Sequence, residues 1–389
     1  MLNFVHDIPT RYYFGEGQIS NLAGELSRFG KNVLLTYGGG SVKRSGLYDT
    51  IMEILNGHNF NVTELNGIDP NPRITSVREG VRLCKENDID VILAVGGGST
   101  IDCSKAIACG RYWEGEDLWD MIRNPGRNMK ALPLVDILTL SATGSEFDPF
   151  GVISNMETNE KLGVPLCYPA VSICDPTYTF SVPAYHTAAG SADIMSHIIE
   201  GYFSRTDDSD LADGMCETIL KSVMKNCPVA LKDPSNYSAR ANLMHNSSIA
   251  CSHITEYGKQ GTMWPCHGME HELSAFYDIT HGVGLAILTP RWMRFILAKD
   301  PTVTGRFARF ARNVIGLEGD DDAALAKEGI DALEAYFAST GIPMKLSALG
   351  IGEEHFEEMA DHANKINHLE LAYVPLTNED IVEIFRASL

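Results

Sequence analysis

Apolar and polar positions follow two regimes along the first half of the chain. Short apolar runs at residues 31–37, 61–65, 90–95, 134–140 and 171–175 predict buried strands. Between them, residues 47–55, 74–86 and 99–109 repeat apolar side chains every three to four positions and predict helices. Gly38-Gly39-Gly40, Asp69-Pro70-Asn71-Pro72 and Gly96-Gly97-Gly98 punctuate these runs. Strand, helix, strand in this order implies parallel βαβ units with helices on both faces of the sheet. Past about Tyr185 the strand signal nearly vanishes. Residues 188–203, 211–231, 237–254, 283–297, 307–314, 323–339 and 380–387 all read as helices. The expected organisation is an α/β domain over residues 1–185 and an all-α domain over residues 186–389. A cleft between two such domains is a natural ligand site.

Bulk composition narrows the class. A chain of 389 residues suits about two domains. With 44% hydrophobic and 21% charged residues it has the make-up of a soluble globular protein. The formal net charge of −20 repels phosphate backbones, so nucleic acid is not an expected partner. No apolar run reaches the length of about 18 residues that a membrane span needs. Met1 to Thr10 carries Asp7 and lacks a basic start and an apolar core, so no secretory signal is expected. Nine scattered cysteines with no C-x-x-C pair fit reduced thiols, and a cytoplasmic location is expected.

Two glycine runs are candidates for phosphate binding. Gly96, Gly97, Gly98 and Ser99 sit between a predicted strand and a predicted helix. Glycines let a backbone approach a pyrophosphate, and the helix start offers free N–H groups. The same residues also suit a tight turn with a serine cap, and the run is not the G-x-G-x-x-G fingerprint. Gly38, Gly39, Gly40 and Ser41 follow the first strand, with Lys43 and Arg44 just beyond. There is no acid between Thr36 and Gly46 to bind an unphosphorylated ribose. Glycine N–H groups, a hydroxyl and two cations suit a 2′-phosphate, hence NADP(H). A surface turn with solvated Lys43 and Arg44 is the bland alternative.

Histidines and an aspartate cluster in the helical half. Asp193 and His197 are four apart, as are His267 and His271, and His281 follows ten residues later. In a helix, i, i+4 pairs project from one face, as chelation requires. Each residue alone reads more simply as a satisfied core side chain. Taken together, a carboxylate and imidazoles at these spacings form a candidate site for Zn²⁺ or Fe²⁺.

These motifs resemble the iron-containing (group III) alcohol dehydrogenase family over nearly the whole chain. The resemblance is carried by Phe14-Gly15-Glu16-Gly17, by Gly96-Gly97-Gly98-Ser99-x-x-Asp102, and by Thr139-Leu140-Ser141-Ala142-Thr143-Gly144-Ser145-Glu146. It continues in Asp175-Pro176, in Ala192-Asp193-x-x-x-His197, and in His267-x-x-x-His271 followed by His281-Gly282. Tyr37-Gly38-Gly39-Gly40-Ser41-Val42-Lys43 looks like the NADPH-dependent butanol and aldehyde dehydrogenase branch. Where many members carry Asp near position 39, this chain has glycine.

The resemblance implies an N-terminal nucleotide-binding domain with a parallel, Rossmann-like sheet, a helical metal-binding domain and a homodimer. It makes Asp193, His197, His267 and His281 the metal ligands, and puts His271 beside nicotinamide and substrate. It puts Gly96 to Ser99 on the pyrophosphate and Thr139 and Thr143 near the cofactor, with Asp102, Lys161 and Tyr178 as further cofactor-side residues. The implied activity is hydride transfer between NADP(H) and a small primary alcohol or aldehyde such as butanol or butyraldehyde. The alternatives are polyol oxidation, as in glycerol dehydrogenase, and a non-redox reaction similar to that of dehydroquinate synthase.

Overall fold

The computed structural model describes residues 1–126 and 129–389. The chain forms two compact units. The sheet unit comprises Asp7–Val182 with Pro234–Ser252, and the helical unit comprises Met1–His6, Pro183–Asp233 and His253–Leu389.

In the sheet unit, β1 (Arg11–Phe14), β2 (Asn32–Tyr37), β3 (Asn61–Leu65), β4 (Val91–Gly96), β5 (Leu134–Leu138) and β8 (Val171–Cys174) form one parallel sheet. Its order is β1-β8-β5-β4-β2-β3. β4 is buried along its whole length. This is the reason its sequence is continuously apolar instead of alternating. Helices α1 (Leu22–Leu26), α2 (Ser41–Arg44), α3 (Leu47–Gly57), α4 (Ile74–Glu86), α5 (Gly98–Gly110), α6 (Leu118–Arg123) and the later α9 (Tyr237–Ala250) belong to the same unit. Two separate apolar clusters form, one built on Leu34, Ile92 and Leu134 and one on Val33, Leu35 and Val135. Successive strand residues point to opposite faces, so each face has its own core.

Three strands were not foreseen. β1 is a four-residue edge strand whose side chains are half-exposed, so it lacks a readable pattern. It is registered by β8, Arg11 against Val171 and Phe14 against Cys174. β6 (Phe150–Asn155) and β7 (Glu160–Pro165) form an antiparallel pair. Gly151, Asn155, Gly163 and Pro165 dilute their apolar content below the threshold of pattern reading.

A chain of buried acids lies within this unit. Ser172 Oγ donates to Asp136 Oδ2 at 2.6 Å, and Ser248 Oγ donates to Glu146 Oε1 at 2.6 Å. Asp136 Oδ1 and Glu146 Oε2 have no hydrogen-bond partner among the described residues. Burial lifts the Glu146 carboxyl to about 7. A folded-state value above the unfolded one means that the native form holds the proton longer. Stability from this group is therefore present below about pH 4.5 and lost as pH rises through about 7. Glu146→Gln keeps the acceptor for Ser248 and removes the charge. Its melting temperature is expected to match wild type at pH 5 and to exceed it at pH 8, by the equivalent of about 3 kcal/mol.

The helical unit contains α7 (Ala184–Tyr202), α8 (Asp210–Lys232), α10 (Pro265–Tyr277), α11 (His281–Lys299), α12 (Thr304–Phe310), α13 (Asp322–Ser339), α14 (Phe356–Asn367) and α15 (Asn378–Ala387). Helix α7 packs on α8 and α11, and α10 packs on α11 and α14. The helix read at residues 307–314 changes type at Ala311, where the chain widens into a π turn through Ile315. Gly316 ends it in the left-handed region at φ 85°. Among the described residues no helix is long and apolar enough to cross a membrane.

Candidate metal centre

Asp193, His197 and Glu200 occupy positions i, i+4 and i+7 of α7 and so share one face. Helix α10 opens with Pro265 at its first turn, where the missing N–H costs nothing, and then carries His267, Glu270 and His271. His281 opens α11. These three helices of one unit bring their polar faces to a single place.

Asp193 Oδ1 lies 3.3 Å from His197 Nδ1, 3.8 Å from His267 Nε2 and 3.7 Å from His281 Nε2. Two donors about 2.1 Å from one tetrahedral ion stand about 3.4 Å apart, so the two Nε2 spacings suit a divalent cation, and His197 also offers a ligand atom within 4.8 Å of those of Asp193 and His267. The His197 and His267 rings are 4.5 Å apart, and the His267 and His281 rings 5.2 Å. Each ring has its Nδ1 engaged elsewhere. His197 Nδ1 donates to the Asp193 carbonyl at 2.9 Å, His267 Nδ1 to Glu200, and His281 Nδ1 to Glu270. With Nδ1 so engaged, each neutral ring carries its lone pair on Nε2.

Two further observations favour a cation here. Asp193 Oδ1 and His267 Nε2 are buried and have no hydrogen-bond partner among the described residues. Orphaned buried polar atoms are costly unless something binds them. Burial opposes ionisation of Asp193, yet the imidazoles of His197, His281 and His267 hold its carboxyl at about 2. Burial likewise opposes the His267 imidazolium, but Glu200 and Asp193 lift that ring to about 9. The site attracts positive charge.

His271 stands beside this set. Its ring is 5.6 Å from that of His281 and 6.3 Å from that of His267. The donor atoms of His271, Glu270 and His281 lie within 4.8 Å of one another. Trp264 forms T-shaped ring pairs with His197 at 5.2 Å and with His267 at 5.0 Å between ring centres. Met263 and Trp264 both have positive φ, 61° and 50°. Such backbone strain in bulky residues clusters at functional sites.

Sequence reading passed over Glu200 and Glu270, which are fully buried carboxylates. A signal was available. Glu200 is seven residues after Asp193 and Glu270 three after His267, so each lies on the face of its helix that carries the candidate ligands.

The glycine runs meet in the sheet unit. β3 lies on one side of β2 and β4 on the other, so the strand order reverses between β2 and β4. Their carboxyl ends adjoin, with Tyr37 opposite Val95. Ligands of open α/β sheets bind at such a switch point. The Thr139 N–H donates to the Gly96 carbonyl at 2.9 Å. A Cβ on Gly98 would fall 2.1 Å from Thr143 Oγ1, and one on Gly97 would fall 3.2 Å from Leu140. Gly96 to Ser99, Thr139 and Thr143 are therefore neighbours. Gly38 to Ser41 lead into the short helix α2, which places the Lys43 ammonium 4.4 Å from the centre of the Tyr48 ring and 5.1 Å from that of Tyr37. Asp102 lies inside the unit, where it accepts from Ser145 Oγ at 2.5 Å and from the Val152 N–H at 2.9 Å. Lys161 is buried in β7 opposite Ser154. Tyr178 is half-buried in the turn Pro176–Thr179 capped by Asp175.

Comparison with known proteins adds a family. Residues 9–176 match the model of the iron-containing alcohol dehydrogenases, and residues 187–389 match that of the C-terminal part of the Fe-containing alcohol dehydrogenase family. The chain is similar to NADH-dependent butanol dehydrogenase A of Clostridium acetobutylicum, with 49% identity over 100% of both chains. It is also similar to the NADPH-dependent aldehyde reductase YqhD of Escherichia coli, with 35% identity over 90% of each. Among solved structures, NADH-dependent butanol dehydrogenase A of Thermotoga maritima superposes with a TM-score of 0.93 at 38% identity, covering 99% of this chain and 98% of that one.

Proposed function

Since the chain belongs to the iron-containing alcohol dehydrogenase family, we propose that it reduces small aldehydes, or oxidises the matching primary alcohols, with NADP(H) and a cation held by Asp193, His197, His267 and His281. Metal-dependent alcohol and aldehyde oxidoreduction with a nicotinamide cofactor comes with the family. The two alternatives, polyol oxidation and a non-redox reaction, are not favoured, because the relatives reported above are named for butanol and aldehydes. The observation that carries the proposal is the convergence of one carboxylate and three imidazoles whose Nδ1 atoms are already occupied.

A bound Fe²⁺ or Zn²⁺ supplies Lewis-acid polarisation of the substrate oxygen, and the nicotinamide supplies or accepts the hydride. Asp193 provides the negative charge that makes a divalent ion preferable to water in a buried site. His271, off the ligand set but beside it, is suited to pass a proton to the alkoxide oxygen on reduction and to take it on oxidation. Gly96 to Ser99 offer backbone N–H groups to the pyrophosphate, Thr139 and Thr143 flank them, and Asp102 braces the loop from inside. Lys161 and Tyr178 complete the cofactor side.

Lys43 carries the choice of cofactor. It follows a carboxylate-free glycine turn, where a 2′-phosphate would meet N–H groups and a cation instead of an acid. The names of relatives point both ways, NADH for the clostridial protein and NADPH for the Escherichia coli one. Oxidation rates of NADPH and NADH with butyraldehyde decide the matter. We expect NADPH to be preferred, and Lys43→Ala to cut the ratio of kcat/KM for NADPH over NADH about tenfold, the worth of one charged phosphate contact. An unaltered ratio would remove Lys43 from the cofactor site. A homodimer, which sedimentation would test, and a cytoplasmic location, which fits nine free cysteines, belong to the same proposal.

A further inference from the structure

We propose that Glu200 and Glu270 are positioning residues of the metal centre, each aiming one imidazole and together setting how tightly the ion is held. The inference rests on the assignment of His267 and His281 as ligands.

The two carboxylates are built alike. Glu200 Oε1 accepts the Cys266 N–H at 2.5 Å, and Oε2 accepts His267 Nδ1. Glu270 Oε1 accepts Ser274 Oγ at 2.5 Å, and Oε2 accepts His281 Nδ1. One oxygen is tied to the protein and the other holds a ring. Neither side chain is exposed, at 0% for both. A carboxylate so buried is expensive to keep, which argues that it has a task.

The arrangement also runs across helices. Glu200 on α7 holds a ring of α10, and Glu270 on α10 holds a ring of α11. Space for the second contact is reserved by Gly284, where a Cβ would stand 2.7 Å from Glu270 Cγ. His197 differs, since its Nδ1 donates to a backbone carbonyl of its own helix at 2.9 Å, and the carboxylate nearest that nitrogen, at 3.3 Å, is the proposed ligand Asp193 itself. A carboxylate on Nδ1 fixes the ring's tautomer and orientation and makes Nε2 more basic, so it strengthens the bond to an ion. Two of the three rings carry this device.

The test is Zn²⁺ affinity by chelator competition, with no turnover involved, for wild type, Asp193→Ala, Glu200→Gln and Glu270→Gln. The amide keeps size and shape but cannot accept at both atoms. We expect each Gln variant to bind Zn²⁺ 10- to 100-fold more weakly while its metal-free melting temperature stays near wild type. In Co²⁺-loaded protein the visible bands should shift in both variants, and Glu200→Asp should restore part of the affinity. A Gln variant that melts lower when metal-free but binds Zn²⁺ as wild type does would show a structural role only and overturn the inference. If Asp193→Ala loses the ion while both Gln variants keep wild-type affinity, the ligand set stands and this inference alone fails. If wild type itself binds no ion, both fail.

Discussion

Replacing Asp193 with alanine is expected to yield a folded protein that neither retains a divalent ion nor reduces an aldehyde. The carboxylate is the one anionic member of the proposed ligand set, and its Oδ1 stands within 3.8 Å of a ring nitrogen from each of the three histidines. Removing it leaves neutral imidazoles to hold a dication in a buried place, a poor exchange for water. Activity should fall by at least about 10³-fold, the scale of losing several kcal/mol of charge stabilisation. Folding should survive. Alanine is the best helix former, position 193 is inside α7, and the substitution removes a buried charge rather than adding one. Elemental analysis, a thermal melt and an NADPH oxidation assay on the same sample check all three claims. Full activity in metal-free Asp193→Ala protein would end the proposal.

Gly282→Ala should be the most damaging single methyl group in the helical unit. A Cβ there would lie 2.0 Å from the Ala189 carbonyl oxygen and 2.7 Å from its carbon. Both are backbone atoms of α7, so no rotamer change relieves the clash. The two helices must part, at a cost of about 3 kcal/mol or more. Ala189 lies one turn before Asp193 and Gly282 directly follows His281, so the parting separates two proposed ligands now 3.7 Å apart. We expect a lower melting temperature and a loss of metal affinity that excess metal does not repair. Gly305→Ala is the control. It is also helical, but nothing lies within 4 Å of its Cβ, so it should be neutral or mildly stabilising. Equal melting temperatures for the two variants would refute the close-approach argument.

Much of this was legible one element at a time. The apolar run at residues 90–95 and the glycines after it announced β4 and the start of α5, because a strand buried on both faces must be apolar throughout. The spacing of Asp193 and His197 announced a shared helix face. Edge strand β1 was not legible, since half-exposed residues obey no burial pattern and β8 alone supplies its register. Nor was the membership of α9, which follows two long helical segments in sequence and yet packs within the sheet unit, its Ser247 Oγ accepting the Ala142 N–H at 3.0 Å.

Local sequence, then, determined the order of elements, the two glycine turns and five candidate donors, because periodicity and backbone freedom are properties of neighbours along the chain. Tertiary structure alone decided that a ring nitrogen of His197, His267 and His281 each comes within 3.8 Å of Asp193 Oδ1, that the His271 ring lies 5.6 Å from that of His281, and that Glu200 and Glu270 reach the outer nitrogens of two rings. A helical period says which face a residue takes. Where that face points depends on how close α7, α10 and α11 can approach, and side-chain volume at their crossings, down to the missing methyl of Gly282, sets that distance.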